Sequence, residues 1–181
     1  ERWCEAGLHR PERAEAMDRA LRVGGDTPNE KQQSDMMARV ICLLDPMGPL
    51  RSLSLSLRPD AIGIMLADIL RHDGTELPQL LNFIENDLGS FWAEQSDANK
   101  SQDMANTIFR LQKVRAFLKR PALGFGLERV LYELNPALSC QSPLVKRYHV
   151  MNAVDMLKTL DALAPSLAPD TRFDDPHITA F

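Results

Sequence analysis

Residues 27–46 read TPNEKQQSDMMARVICLLDP, and this stretch carries the signals that decide the fold. Thr27 and Glu30 have the spacing of a capping box, in which the two side chains bond the first free N–H groups of a helix. Apolar residues then recur at the spacing of one helix face, until Asp45-Pro46 ends the segment. The stretch therefore predicts an amphipathic helix, with the apolar face Met36, Val40, Ile41, Leu43 and Leu44.

Proline precedes an apolar run with helical spacing at several other points of the chain. It suits the first position of a helix, because its fixed φ fits there and its missing N–H would have no partner. The pattern predicts an all-α fold, an irregular bundle of about seven amphipathic helices with short connections punctuated by Pro and Gly. We expect a single helical domain over residues 1–181, with a division into 1–57 and 58–181 as the alternative. The proline pairs are Thr27-Pro28, Arg58-Pro59, Arg120-Pro121, Ser142-Pro143 and Asp175-Pro176.

Two further segments have distinctive apolar patterns. Residues 50–57 alternate leucine with serine, which is typical of a half-buried strand, but no other part of the chain offers this strand a partner. We therefore predict an extended connector or a short helix, and a strand only if another chain pairs with it. Residues 144–163 have the longest apolar stripe and predict one helix. Its apolar residues are Val145, Tyr148, Val150, Met151, Val154, Leu157 and Leu160.

Composition excludes several classes of protein. The chain has 181 residues, 44% hydrophobic and 25% charged, with a formal net charge of -4. A dedicated nucleic-acid-binding domain is usually basic, so nucleic acid is not the expected partner. The three cysteines, Cys4, Cys42 and Cys140, are far apart, which argues against a zinc site or a disulfide framework and favours the cytoplasm. No apolar run is long enough to span a membrane.

The two ends predict a piece of a longer protein. The first residue is Glu1, and residues 175–181 have the pattern of an N-cap and the first turn of a helix that then stops. The expected partners are accordingly another protein or other parts of the same longer chain, and a homo-oligomer is also compatible with the sequence.

Two groups of residues are candidates for chemistry. Asp68 and His72 lie four residues apart on a predicted helix with Glu76 close behind, which suits a carboxylate that orients a general base, or an exposed ion pair near a helix end. Cys140 and His149 could form a thiol nucleophile and its base, but nothing in the sequence supplies an oxyanion hole. We favour the structural interpretation of both groups.

Two further groups are candidates for binding. Arg110, Lys113, Arg115, Lys119 and Arg120 form a basic stretch without an acid, which suits an anionic partner such as nucleic acid or a membrane surface, or a cationic helix end. The adjacent rings of Phe91 and Trp92 point in different directions on a helix. One of them could be exposed at a partner surface, but we favour packing between helices as the explanation of the pair.

A local resemblance concerns residues 135–165. Asn135-Pro136, Ser142-Pro143-Leu144, Arg147 and the stretch 157–165 resemble a helical pattern of ImpA-related type VI secretion proteins. The resemblance implies a scaffold role in bacterial secretion machinery, and its motifs are too short to establish membership. Taken together, the sequence predicts a non-enzymatic protein-interaction or scaffolding domain of a bacterial protein, without catalytic residues, cofactor or metal.

Overall fold

The computed structural model describes residues 11–22, 25, 27–168 and 170–181. The structure is 64% helical, which confirms the predicted all-α bundle. Cys4 lies outside the described residues. Within the described ranges, no helix combines the length and the apolar character that crossing a membrane requires.

Nine α-helices and one two-stranded sheet occur in the described part of the chain. In chain order they are α1 (Pro11–Arg22), α2 (Glu30–Leu44), β1 (Leu50–Ser52), β2 (Leu55–Leu57), α3 (Ile62–His72), α4 (Leu77–Glu85), α5 (Leu88–Glu94), α6 (Gln102–Leu118), α7 (Leu127–Leu134), α8 (Ala153–Leu163) and α9 (Pro176–Ala180).

The chain divides into two compact units, one ending at Gln112 and the other running Lys113–Phe181. This boundary differs from the alternative division predicted from the sequence, which lies between residues 57 and 58. In the first unit, α2 packs against α1, β1 and α5, and the helices α3, α4 and α5 pack in succession. In the second unit, α9 packs on α7. A separate core there consists of Cys140, Val145, Val150, Met156 and Leu163.

Helix α2 begins two residues later than the predicted capping box implies. The N-cap is Asn29: its Oδ1 accepts the Gln32 N–H at 2.9 Å, and the Gln32 Oε1 accepts the Asn29 N–H at 2.9 Å. The prediction of Thr27 and Glu30 as the cap was therefore wrong. Asn is at least as good an N-cap as Thr, and its extended backbone here suits that position.

Residues 50–57 form an antiparallel hairpin, so the prediction of a connector or short helix was wrong. Leu50 pairs with Leu57, and Ser52 with Leu55, which leaves a two-residue turn. The two halves of the segment, β1 and β2, therefore pair with each other. Ser52 is buried on the same side as Leu50, because residues two apart in a strand share a face, and its Oγ hydrogen-bonds the Ser34 Oγ of α2 at 2.6 Å.

The long helix predicted over residues 144–163 is interrupted. A 3₁₀ turn spans Lys146–Tyr148, His149 has a left-handed backbone with φ 51°, and α8 begins only at Ala153. Its N-cap is Asn152, whose side chain accepts the Asp155 N–H at 2.9 Å. Because the helix starts late, Val150, Met156 and Leu163 point inward, while four residues of the predicted apolar stripe are exposed: Tyr148, Met151, Val154 and Leu157.

Candidate functional site

The structure separates the two predicted aromatic contact residues. Trp92 is 0% exposed in the core of the first unit, and its indole Nε1–H donates to the Gly48 carbonyl at 2.6 Å. The guanidinium of Arg58 lies 5.2 Å from the Trp92 ring centre. Phe91 is half-buried, with the Arg39 guanidinium 4.9 Å from its ring centre. Packing therefore accounts for Trp92, and a partner-contact role remains a prediction only for Phe91.

The predicted basic stretch is divided between different faces of α6 and its end. Lys113 pairs with Glu133 at 2.5 Å, and the Arg120 guanidinium lies 4.5 Å from the ring centre of Phe125. These two cations are therefore already engaged within their own unit. Arg110, Arg115 and Lys119 have no carboxylate partner among the residues described. Arg110 and Arg115 are five residues apart and therefore point to different sides of a helix, and Lys119 follows the last residue of α6, so the stretch does not form one continuous basic surface.

Cys140 and His149 do not form a catalytic pair. Cys140 is fully buried, and this burial raises the pKa of its thiol, whereas His149 is exposed. The polar neighbour of the thiol is the hydroxyl of Tyr132, whose oxygen lies 3.9 Å from the sulfur and 3.1 Å from Nδ1 of His177. A neutral buried thiol is a poor nucleophile. The contact between Tyr132 and His177 joins α7 to α9.

Asp68, His72 and Glu76, in contrast, line one depression of about 370 Å³ on the first unit. The His72 Nδ1 lies 3.2 Å from an Asp68 carboxylate oxygen and 3.0 Å from the Asp68 carbonyl oxygen. Both side chains are mostly in water, with 65% and 62% of their surface exposed. No group of three or more His, Cys, Asp or Glu residues in the described ranges is arranged to hold a metal ion.

The feature that sequence reasoning missed is Leu53, at the tip of the hairpin. It is 80% exposed, and its φ of 52° lies in the left-handed region. The other non-glycine residues with positive φ in the described chain are Asp73, Asp87 and His149. Those polar residue types adopt this conformation comparatively often, whereas for a bulky apolar side chain it is an outlier.

Leu53 forms one wall of an apolar groove of about 470 Å³. The opposite walls come from α2 and α4, and Leu77, Pro78 and Leu81 provide further apolar surface. Below, this cavity is called the tip groove. Its rim carries Glu30 and an ion pair between Lys31 and Glu85.

The hairpin tip separates the tip groove from the depression of Asp68. Leu53 lines the groove, whereas its neighbours Ser54 and Leu55 line the depression. The Ser54 hydroxyl donates to the Gln79 side-chain oxygen at 3.0 Å, which ties the tip to α4 at the boundary. The two cavities therefore lie on either side of one hydrogen-bonded turn.

The second unit has an exposed apolar surface of its own on and before α8. Val154 and Leu157 are 60% and 70% exposed and share one helix face, because they are three residues apart. Met151 immediately before the helix cap is also largely exposed. The sequence predicts that these residues lie on the apolar side of one longer helix. That helix is interrupted in the structure, which accounts for their exposure.

Comparison of the chain with protein families, curated proteins and solved structures gives no match. The resemblance of residues 135–165 to secretion proteins therefore stays a prediction.

Proposed function

We propose that the chain is a non-enzymatic protein-interaction domain, and that its tip groove receives a peptide segment of another protein. The observation that carries the proposal is the conformation of Leu53. A large apolar side chain stands in water on a backbone that favours glycine, beside a groove with apolar walls.

Leu53 is unfavourable for the free chain in two respects. A non-glycine residue in the left-handed region costs about 1–3 kcal/mol, and an exposed leucine forgoes about 1.5–3 kcal/mol that burial would contribute. The φ signs of this turn, positive at Leu53 alone, are those of a type II′ turn, whose first central residue is usually glycine. A partner that covers the Leu53 side chain would gain the free energy of burying it, which folding of the isolated chain does not gain.

The size and composition of the tip groove support the same function. Its volume is within the range of cavities that bind small ligands, and it is large enough for one or two apolar side chains of a peptide. The exposed surface formed by Val154 and Leu157 in the second unit has similar apolar character. Exposed apolar patches of this kind mark interaction sites in soluble proteins.

Selection from a library of displayed random dodecapeptides tests the proposal. Peptides selected on the wild-type chain should bind Leu53→Ala at least about tenfold more weakly, because the apolar wall of the groove is lost. Ile64→Ala is the matched control, since it shortens another exposed side chain of the first unit, outside the residues that line the groove. Peptides that bind Leu53→Ala as tightly as the wild type, or a selection without binders, would contradict the proposal.

A further inference from the structure

We infer that the segment received by the tip groove carries a Lys or Arg close to its apolar side chain, and that this cation lies in the depression formed by Asp68 and Glu76. The inference rests on the proposed function and specifies the chemistry of the partner.

The first argument is that the two cavities lie next to each other, on either side of the hairpin tip. Adjacent residues of the hairpin tip, Leu53 and Ser54, line the groove and the depression respectively. Consecutive residues of an extended peptide are about 3.8 Å apart, so a segment that crosses the tip passes from one cavity to the other within a few residues. An apolar side chain in the groove thus places a neighbouring side chain of the same segment over the depression.

The second argument is the charge of the surface that such a segment would cross. Four carboxylates line the two cavities, and the only Lys or Arg among the lining residues is Lys31. Lys31 is already paired with Glu85. Asp68 has the imidazole of His72 as its neighbour, and no Lys or Arg of the described chain pairs with Asp68 or Glu76. The surface therefore complements a cationic segment and repels an acidic one.

The third argument is the charge of the unit as a whole. The sequence up to residue 112 contains 12 Lys and Arg against 18 Asp and Glu, a formal net charge of -6. The remainder, from residue 113, contains 9 against 7, a net charge of +2. The net negative charge of the first unit therefore attracts cationic segments to this unit.

The dodecapeptide selection also tests this inference, by the sequences that it returns. We expect binders that depend on Leu53 to be enriched in Lys or Arg within about four residues of an apolar side chain. The double variant Asp68→Asn/Glu76→Gln should bind these peptides roughly threefold to tenfold more weakly, because exposed ion pairs are individually weak. The difference in affinity between the wild type and the double variant should become smaller as salt is raised from roughly 50 mM to 500 mM, since salt screens exposed charges.

The control variant is Asp103→Asn, which removes one negative charge of the same unit at an exposed position on α6. It should bind the selected peptides as the wild type does. If binders depend on Leu53 but lack basic residues, or are insensitive to the double variant, the inference is overturned and the proposed function stands. An equal loss with Asp103→Asn overturns the inference as well, because the attraction would then be non-specific. If no binder depends on Leu53, both are overturned.

Discussion

Leu53 illustrates how one residue can oppose the stability of its own fold. Its positive φ brings the Cβ close to the backbone, which raises the free energy of the folded chain. Glycine avoids this strain because it has no Cβ. We expect Leu53→Gly to have a free energy of unfolding about 1 kcal/mol higher than Leu53→Ala, because alanine keeps the Cβ and hence the strain. Urea unfolding of both variants measures the difference. A glycine variant no more stable than the alanine variant would show that the turn is unstrained.

Cys42 makes stability depend on pH in the alkaline range. Burial on α2 raises the pKa of its thiol to about 11, from 9.0 for a free cysteine. Between these values the unfolded chain has lost the proton and the folded chain still holds it, so the free energy of unfolding falls as pH rises. The thiol contributes a slope of at most about 1.4 kcal/mol per pH unit there, and none below pH 9.

Urea unfolding at several pH values from 7 to about 10.5 checks this prediction for Cys42. Cys42→Ala is the comparison, and the slopes rather than the absolute stabilities are compared because the variant also loses packing. We expect the alkaline slope of the variant to be shallower. Identical slopes in the two proteins would mean that the thiol ionises equally easily in the folded and unfolded chains.

At the level of elements, α2 shows what the sequence could and could not predict. The proline, the polar start and the apolar spacing located the helix and its end correctly, since these signals act within a few residues. The cap itself was misplaced, because Thr27 and Asn29 are both good N-caps and only the path of the chain decides between them.

The corrected cap of α2 gives a direct test. Asn29→Ala should lower the free energy of unfolding by about 1 kcal/mol, because the Gln32 N–H loses its acceptor. Thr27→Ala should change it by less than about 0.5 kcal/mol, since Thr27 is exposed and lies outside the helix. Thermal or urea unfolding distinguishes the two variants. Equal losses would indicate that both side chains contribute to the cap.

The hairpin and α8 could not be predicted for a different reason. The turn Leu53-Ser54 lacks the Asn or Gly that marks a two-residue hairpin, so nothing local indicated that residues 50–57 pair with themselves. The turn also shifts the alternation, which puts Ser52 inside and Leu53 outside. Leu53, which lines the tip groove, is therefore exposed although the alternation of the segment indicated that it is buried. In α8 the Asn152 cap lies within an apolar run that by itself favours one longer helix.

At the scale of the whole molecule, the distribution of charge limits which macromolecules the chain can bind. The net charge is -4, and the whole acidic excess lies before residue 113. In the second unit Glu133 pairs with Lys113 and lies 3.9 Å from Arg129. The basic stretch therefore offers fewer free cations than its sequence indicates.

We accordingly expect the chain not to bind duplex DNA at protein concentrations up to about 100 µM and roughly physiological salt, conditions under which non-specific DNA-binding proteins do bind. Fluorescence anisotropy of a labelled duplex measures this, with Arg115→Glu/Lys119→Glu as the comparison. Binding that falls steeply with salt and disappears in the double variant would favour the basic stretch as an anionic site. Without such binding, the net negative charge of the chain outweighs its local basic residues as far as duplex DNA is concerned.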